Sequence, residues 1–160
     1  MIMEKKQTKI LNIVPLSLAK YFYEKGIEDI GVIQDLIYLT YLEVLKKENI
    51  LLFSEEWQAW NSGPVIESVF YAMNENWKDK DRKKLFQKTL PLTQKNIIKH
   101  CEKQIKDYQI IEQEKDQYKL LGAVQTEPWK LARRNLDNEL EKNKIETADI
   151  IRFAQQQIRI

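Results

Sequence analysis

The residues of this chain best suited to nucleophilic chemistry are His100 and Cys101. A histidine that takes the proton of a cysteine thiol creates a reactive thiolate. Adjacent residues of a helix point about 100° apart, however, so these two side chains would not face each other. Cys101 also falls on an apolar helical stripe, and we interpret it as a core thiol. We therefore expect no catalytic residue in this pair.

Two further features could carry chemistry. The neighbouring carboxylates Glu55 and Glu56 could act as an acid–base pair, and Ser62-Gly63-Pro64 could bind a phosphate through free backbone N–H groups at a helix start. Neighbouring carboxylates in an exposed turn are usually solvated. Pro64 removes one N–H donor, and no glycine-rich loop or nearby lysine follows it. We expect the second segment to cap a helix, with Pro64 in its first turn.

The four tryptophans, Trp57, Trp60, Trp77 and Trp129, could stack on nucleic-acid bases. Arginine, which supplies bidentate contacts to bases, is sparse around them. The chain carries 26 basic and 24 acidic residues, so its net charge of +2 also argues against a nucleic-acid partner. We expect core or interface positions for the tryptophans, with Trp60 and Trp129 largely buried.

Composition limits the other classes of site. With one cysteine and one histidine, the chain can form no internal disulfide and lacks the ligands of a Cys/His metal site. We predict no metal, no cofactor, no membrane segment and a cytoplasmic protein. The 160 residues, 43% hydrophobic and 31% charged, fit one domain over residues 1–160, with residues 1–10 as a flexible N-terminal arm.

Apolar periodicity and few glycines or prolines favour helices. The first predicted helix has Pro15 in its first turn and ends at Gly26. A second runs from about Val32 to Lys47, and its broad apolar stripe indicates a central helix touched on more than one side. The apolar run Ile50–Phe53 and the segment Trp57–Trp60 predict a two-stranded hairpin.

The second half of the chain continues the helical pattern. The polar, lysine-rich stretch from Asn74 to Lys88 predicts a solvated helix end and loop. A helix follows from about Gln94 to Tyr108, and the pattern between Ile110 and Leu121 fits either a small hairpin or a helix. Two more helices are predicted, from Trp129 to Leu140 and from Thr147 to Ile158.

Four pieces of the sequence resemble the Panacea domain, the phage-associated antitoxin family. The Gly-Pro-Val corner is the most specific of them, and together the pieces span most of the chain. At Asp35 the sequence departs from the family, which commonly has a basic residue there. The four pieces are Leu18-Ala19-Lys20-Tyr21-Phe22, Ile33-Gln34-Asp35-Leu36-Ile37-Tyr38, Leu52-Phe53 with Gln58-Ala59-Trp60-Asn61-Ser62-Gly63-Pro64-Val65, and Thr126-Glu127-Pro128-Trp129-Lys130-Leu131-Ala132.

The resemblance implies a mainly α-helical domain with a small β-hairpin. It also implies an antitoxin that binds and neutralises a toxin encoded beside it, and some relatives are similar to adaptors that deliver the toxin to a Clp-type protease. The residues that the family shares look architectural and imply no catalytic set. In this chain they are Trp60, Gly63, Pro64, Val65, Pro128 and Trp129.

We therefore expect a non-enzymatic antitoxin or adaptor that acts through protein–protein contact. Two alternatives from other classes remain. One is a small hydrolase or nuclease domain that uses Glu55, Glu56 and His100, which a metal-dependence assay would reveal. The other is a DNA-binding regulator, although no predicted helix concentrates basic residues on one face beside Asn or Gln.

Overall fold

A computed structural model describes residues 7–74, 84, 86–134, 136 and 143–158. The architecture is mainly α-helical with small β-sheets, as predicted. None of the described helices combines the length and apolar character needed to cross a bilayer. The helices are α1 (Pro15–Glu24), α2 (Ile30–Glu48), α3 (Glu67–Met73), α4 (Lys95–Glu114), α5 (Gln117–Val124), α6 (Glu127–Arg133) and α7 (Thr147–Ile158).

Helix α2 lies at the centre of the molecule and contacts α1, α3, α4, α5 and α7. The carboxylate of Asp29 caps its first turn by accepting a hydrogen bond from the backbone N–H of Val32 at 3.1 Å. It ends at Asn49, whose left-handed conformation, with φ of 55°, stops the helix. The broad apolar stripe correctly predicted a helix that is covered on several sides.

The strands form two small sheets. Strands β1 (Lys9–Ile10) and β2 (Ile50–Leu51) pair in parallel. In the second sheet, β3 (Gln58–Trp60) lies between β4 (Gly63–Val65) and β5 (Asn143–Lys144), and both pairings are antiparallel.

The predicted hairpin between Ile50–Phe53 and Trp57–Trp60 is therefore wrong. The apolar run pairs instead with the N-terminal segment, and β3 turns directly into β4. A local pattern could not reveal this, because β1 and β2 are distant in sequence and come together only in the folded chain.

Gly63 and Pro64 lie in strand β4 and not at the start of a helix, which corrects the prediction that this segment caps a helix. Pro64 pairs opposite Ala59 on β4, an edge of its sheet, where a residue without an N–H is tolerated. Helix α3 begins only at Glu67, after Ile66. Gly63 has φ of 152°, a conformation that side-chain-bearing residues rarely adopt.

The later helices largely follow the periodic pattern. Helix α4 covers the predicted 94–108 helix and continues to Glu114, where Lys115 takes a left-handed conformation with φ of 55°. The pattern between residues 110 and 121 fitted a hairpin or a helix, and the structure shows helix there, at the end of α4 and in α5. Helix α6 starts two residues before the predicted Trp129, and α7 matches its predicted bounds.

Some predictions fall outside the described residues. These are most of the predicted loop from Asn74 to Lys88, namely 75–83 and 85, together with the end of the predicted 129–140 helix. Residues 1–6 of the predicted N-terminal arm also lie outside, whereas Lys9–Ile10 form strand β1. The hydroxyl of Thr8 donates a hydrogen bond to the Asn49 side-chain oxygen at 2.9 Å.

The hydrophobic core is rich in aromatic side chains. Trp57 is only 1% exposed, and its ring lies 5.0 Å from that of Tyr38 and 5.6 Å from that of Tyr41. Phe53 completes this group, with its ring 5.9 Å from that of Trp57. The group joins α2 to the loop before β3, so the core fixes the small sheet against the central helix.

We predict that Gly63→Ala destabilises the protein by about 1–3 kcal/mol, because alanine must adopt the strained backbone of this position. The matched control is Gly122→Ala in α5, where an added Cβ meets nothing within 4 Å and φ is ordinary for a helix. That change should stabilise the protein by about 0.5–1 kcal/mol. Urea unfolding followed by circular dichroism measures both, and equal effects would contradict the prediction.

Candidate functional site

His100 and Cys101 do not form a nucleophile and base. Cys101 is completely buried on α4, and its burial raises the pKa of the thiol to about 12. A thiol with so high a pKa is protonated at neutral pH and is a poor nucleophile. The interpretation of Cys101 as a core thiol is confirmed.

His100 instead joins a polar network between α2 and α4. Its Nδ1 lies 2.9 Å from Glu43 and its Nε2 lies 2.9 Å from Glu48, so the ring lies within hydrogen-bond distance of both carboxylates. Burial alone would raise the pKa of Glu43, but hydrogen bonds from Lys103, His100 and Lys47 outweigh it and lower that pKa to about 2. These contacts link α2 to α4.

The other candidate groups are also engaged in structural contacts. Glu55 accepts hydrogen bonds from the backbone N–H of Ser68 at 3.1 Å and from its hydroxyl at 2.6 Å, which caps the start of α3. Glu56 forms a salt bridge with Lys144 at 3.3 Å. Among the described residues, no group of three His, Cys, Asp or Glu side chains could hold a metal ion.

The tryptophans are buried to different degrees. Among the described tryptophans, Trp57 is fully enclosed, whereas Trp60 and Trp129 are only half-buried, which corrects the prediction for those two. Trp60 lies on β3 and packs on Phe70 with ring centroids 4.6 Å apart, and Trp129 lies on α6. Trp77 lies outside the described residues.

The Pro-Trp segment of α6 holds the β3–β4 hairpin. The indole N–H of Trp129 donates to the carbonyl oxygen of Trp60 at 2.8 Å, and the guanidinium of Arg133 donates to that of Ala59 at 3.0 Å. Pro128 is buried in the first turn of α6. The segments 58–65 and 126–132, which are distant in sequence, therefore contact each other directly.

Gln34 on α2 secures the other side of the hairpin. Its side-chain amide donates to the carbonyl oxygen of Ile66 at 3.0 Å and accepts from the Ile66 N–H at 2.9 Å. Gln34 is 3% exposed and Ile66 is completely buried. The amide thus supplies the partner of the Ile66 N–H at the point where β4 ends and α3 begins. It also gives a second donor to the Ile66 carbonyl oxygen, which accepts from the backbone N–H of Phe70 at 3.1 Å as well.

Asp35, the residue after Gln34, differs from it in that its side chain is not paired with another described residue. It is half-buried and has no hydrogen-bond or salt-bridge partner in the described part of the chain. Its carboxylate lies beside Gly63, at 3.8 Å from the place that a Cβ on that glycine would occupy. Burial, and then the nearby charge of Asp29, raise the pKa of Asp35 to about 7.

An open groove of about 360 Å³ lies between α2, α4 and α5. We call it the α2–α4–α5 groove. Apolar atoms make up most of its lining, which is typical of sites that bind a partner or ligand. It is lined by Val32, Tyr108, Ile111, Glu112, Lys115, Asp116 and Leu120.

A second open groove of similar size lies between residues 12–17 and 89–94. Leu90 is 80% exposed there and Val14 is 58% exposed. Leu90 therefore offers a large apolar side chain on a surface that the α2–α4–α5 groove does not share.

No family model, curated protein or solved structure matches this chain. Its function must therefore be argued from its own geometry.

Sequence reasoning missed the roles of Gln34 and Asp35. Both are polar residues in the middle of the broad apolar stripe of α2, and that interruption is the signal that could have identified them. The α2–α4–α5 groove gave no such signal, because its walls come from three separate helices.

We predict that Gln34→Leu destabilises the protein by about 1–3 kcal/mol, since the buried N–H of Ile66 loses its partner. The carbonyl oxygen of Ile66 keeps its hydrogen bond from the Phe70 N–H. The control is Gln109→Leu at an exposed position of α4. It should change stability by less than about 0.5 kcal/mol. Chemical denaturation compares the two variants, and a Gln34 variant as stable as the control would refute the role given to this amide.

We predict that Asp35→Asn stabilises the protein at pH 8 by roughly 2 kcal/mol and has little effect near pH 3. The folded-state pKa of about 7 exceeds the ordinary aspartate pKa of 3.8, so ionisation of Asp35 costs stability as pH rises between these values. The asparagine variant lacks this loss. Thermal unfolding of both proteins across this range tests the prediction, and a pH-independent difference would contradict it.

Proposed function

We propose that this protein is an antitoxin that neutralises a cognate toxin by protein–protein contact, as the resemblance to the Panacea domain implies. The observation that carries the proposal is the α2–α4–α5 groove, an apolar surface concavity whose lining includes the aromatic side chain of Tyr108. The two helices α4 and α5 also expose large apolar side chains, Ile110 at 53% and Tyr118 at 73%.

Exposed side chains of this kind favour a binding surface. Aromatic residues that a partner can enclose supply much of the energy of protein–protein interfaces, and tyrosine is among the most frequent anchors. Tyr118 loses little conformational entropy on binding because its side chain has only two rotatable bonds. The groove, lined by Val32, Ile111 and Leu120, offers apolar surface that a partner can cover.

The hydrolase or nuclease alternative gains no support from the contacts of its candidate residues. Glu55 binds Ser68, Glu56 binds Lys144, and His100 binds Glu43 and Glu48. The three side chains therefore lie in different parts of the fold, and each one is engaged in these contacts.

Direct inhibition and delivery to a Clp-type protease are both compatible with such a surface. In the first case the toxin stays bound and inactive, and in the second it is degraded. We place the protein in the cytoplasm, where both modes would operate. Contact with nucleic acid is not part of the proposal, since basic and acidic residues are nearly balanced over the chain.

We predict that co-expression with the product of the adjacent gene relieves that product's toxicity. The two proteins should co-purify, or the toxin should disappear by proteolysis. Tyr118→Ser should weaken neutralisation without loss of folding, because the side chain is 73% exposed. The readouts are colony survival and the amount of toxin recovered.

Leu90→Ser is the matched control, since it removes an exposed apolar side chain, 80% accessible, from the other groove. It should neutralise as the unmodified protein does. Loss of neutralisation in this variant alone would place the contact at the second groove. An adjacent product that is harmless by itself, or that stays equally toxic and stable beside this protein, would refute the antitoxin proposal.

A further inference from the structure

The α2–α4–α5 groove has an apolar floor. Val32 on α2, Ile111 on α4 and Leu120 on α5 come from three helices and line it together. Leu120 is 7% exposed and so forms part of the molecule's interior, whereas Val32 and Ile111 are half-buried. A partner with apolar side chains in a row could cover this floor and remove it from water.

The rim of the groove is acidic. Glu112 and Asp116 line it directly, and Lys115 is the basic residue among its lining groups. Asp29 lies close enough that its charge acts on Tyr108, whose pKa is raised by burial, by Glu112 and by Asp29. The chain as a whole has a net charge of +2, so the negative sign of this surface is a local property.

Asp35 extends this acidic surface along α2. It follows Val32 by three residues and therefore lies on the same side of the helix. It also lies beside Gly63, whose added Cβ would contact Val124 at 3.4 Å, four residues after the floor residue Leu120. Its carboxylate has no partner in the described part of the chain.

A half-buried carboxylate without a partner is costly, and a positive group from another molecule removes that cost. Lysine and arginine are the side chains that supply such a group, and their long aliphatic stems can also cover apolar surface. The groove therefore complements a segment that carries basic residues beside its apolar ones.

We propose that the α2–α4–α5 groove docks a basic, amphipathic helical segment of a partner protein, with apolar side chains on Val32, Ile111 and Leu120 and basic side chains towards Asp35, Glu112 and Asp116. This inference rests on the proposed function and specifies the chemistry of the toxin surface that this protein binds. The shape of the groove, between helices, fits a helix better than an extended strand, because no open strand edge lines it.

The test uses the full chain and a fluorescein-labelled peptide of about 14 residues, long enough for a marginal helix, built from leucine and lysine at helical spacing. A second peptide replaces every lysine with glutamate. Fluorescence anisotropy should show that the lysine peptide binds and that the glutamate peptide binds at least about tenfold more weakly. Equal binding of both peptides would refute the acidic character of the site.

A double variant, Asp35→Asn with Glu112→Gln, locates the site. It should weaken binding of the lysine peptide by at least about tenfold. The control is Glu24→Gln, which removes an exposed acidic charge from α1. This control should bind as the unmodified protein does. Equal loss in both proteins would mean nonspecific attraction, and unchanged binding by the double variant would place the peptide elsewhere. Either result would overturn the proposal.

The same variants separate this inference from the antitoxin function. If the double variant still neutralises the adjacent gene's product in cells, the groove assignment fails while the antitoxin proposal stands. If the adjacent product proves harmless but the peptide results are as expected, the docking site stands and the antitoxin proposal fails. Circular dichroism of each variant establishes that it is folded before either comparison.

Discussion

The side-chain amide of Gln34 is the contact on which the small sheet depends. It gives the backbone of Ile66 one donor and one acceptor, as a neighbouring peptide group would. The sheet is too short to position itself, since β3 and β4 have three residues each. Because Gln34 belongs to the central helix, the hairpin takes its position from that helix.

Other contacts then build on that attachment. Trp129 and Arg133 donate hydrogen bonds to carbonyl groups of β3, and the hydroxyls of Tyr38 and Thr126 lie 2.7 Å apart where α2 meets the start of α6. The central helix, the hairpin and α6 are thus neighbours in space. These contacts fix the hairpin to two helices.

The helices were predictable because the spacing of apolar residues in each segment shows which face of the helix is buried. The stripes of α1, α2 and α7 follow from residues three and four apart, and that spacing is visible in the sequence. The strands were not, since proline after glycine suits an edge strand as well as a first helical turn. The partner of Ile50–Leu51 lies some forty residues earlier, at Lys9–Ile10, and no local pattern identifies it.

The candidate site was less predictable than the fold. An aspartate in an apolar stripe attracts notice, but only the packing of α4 and α5 against α2 gives it an apolar groove as neighbour. The opposite error affected Trp60 and Trp129, whose apolar neighbours in sequence suggested full burial, whereas both side chains are half-buried in the folded chain. Sequence identifies residues of unusual type, and tertiary packing decides what surrounds them.

Trp57 has a consequence for how this protein can be observed. Its indole N–H has no hydrogen-bond partner among the described residues, and its ring is enclosed by Tyr38, Tyr41 and Phe53. An indole in such surroundings emits at shorter wavelength than one in contact with water. The half-buried Trp60 and Trp129 lie at the hairpin instead, so the emission spectrum distinguishes the state of the core from that of the surface.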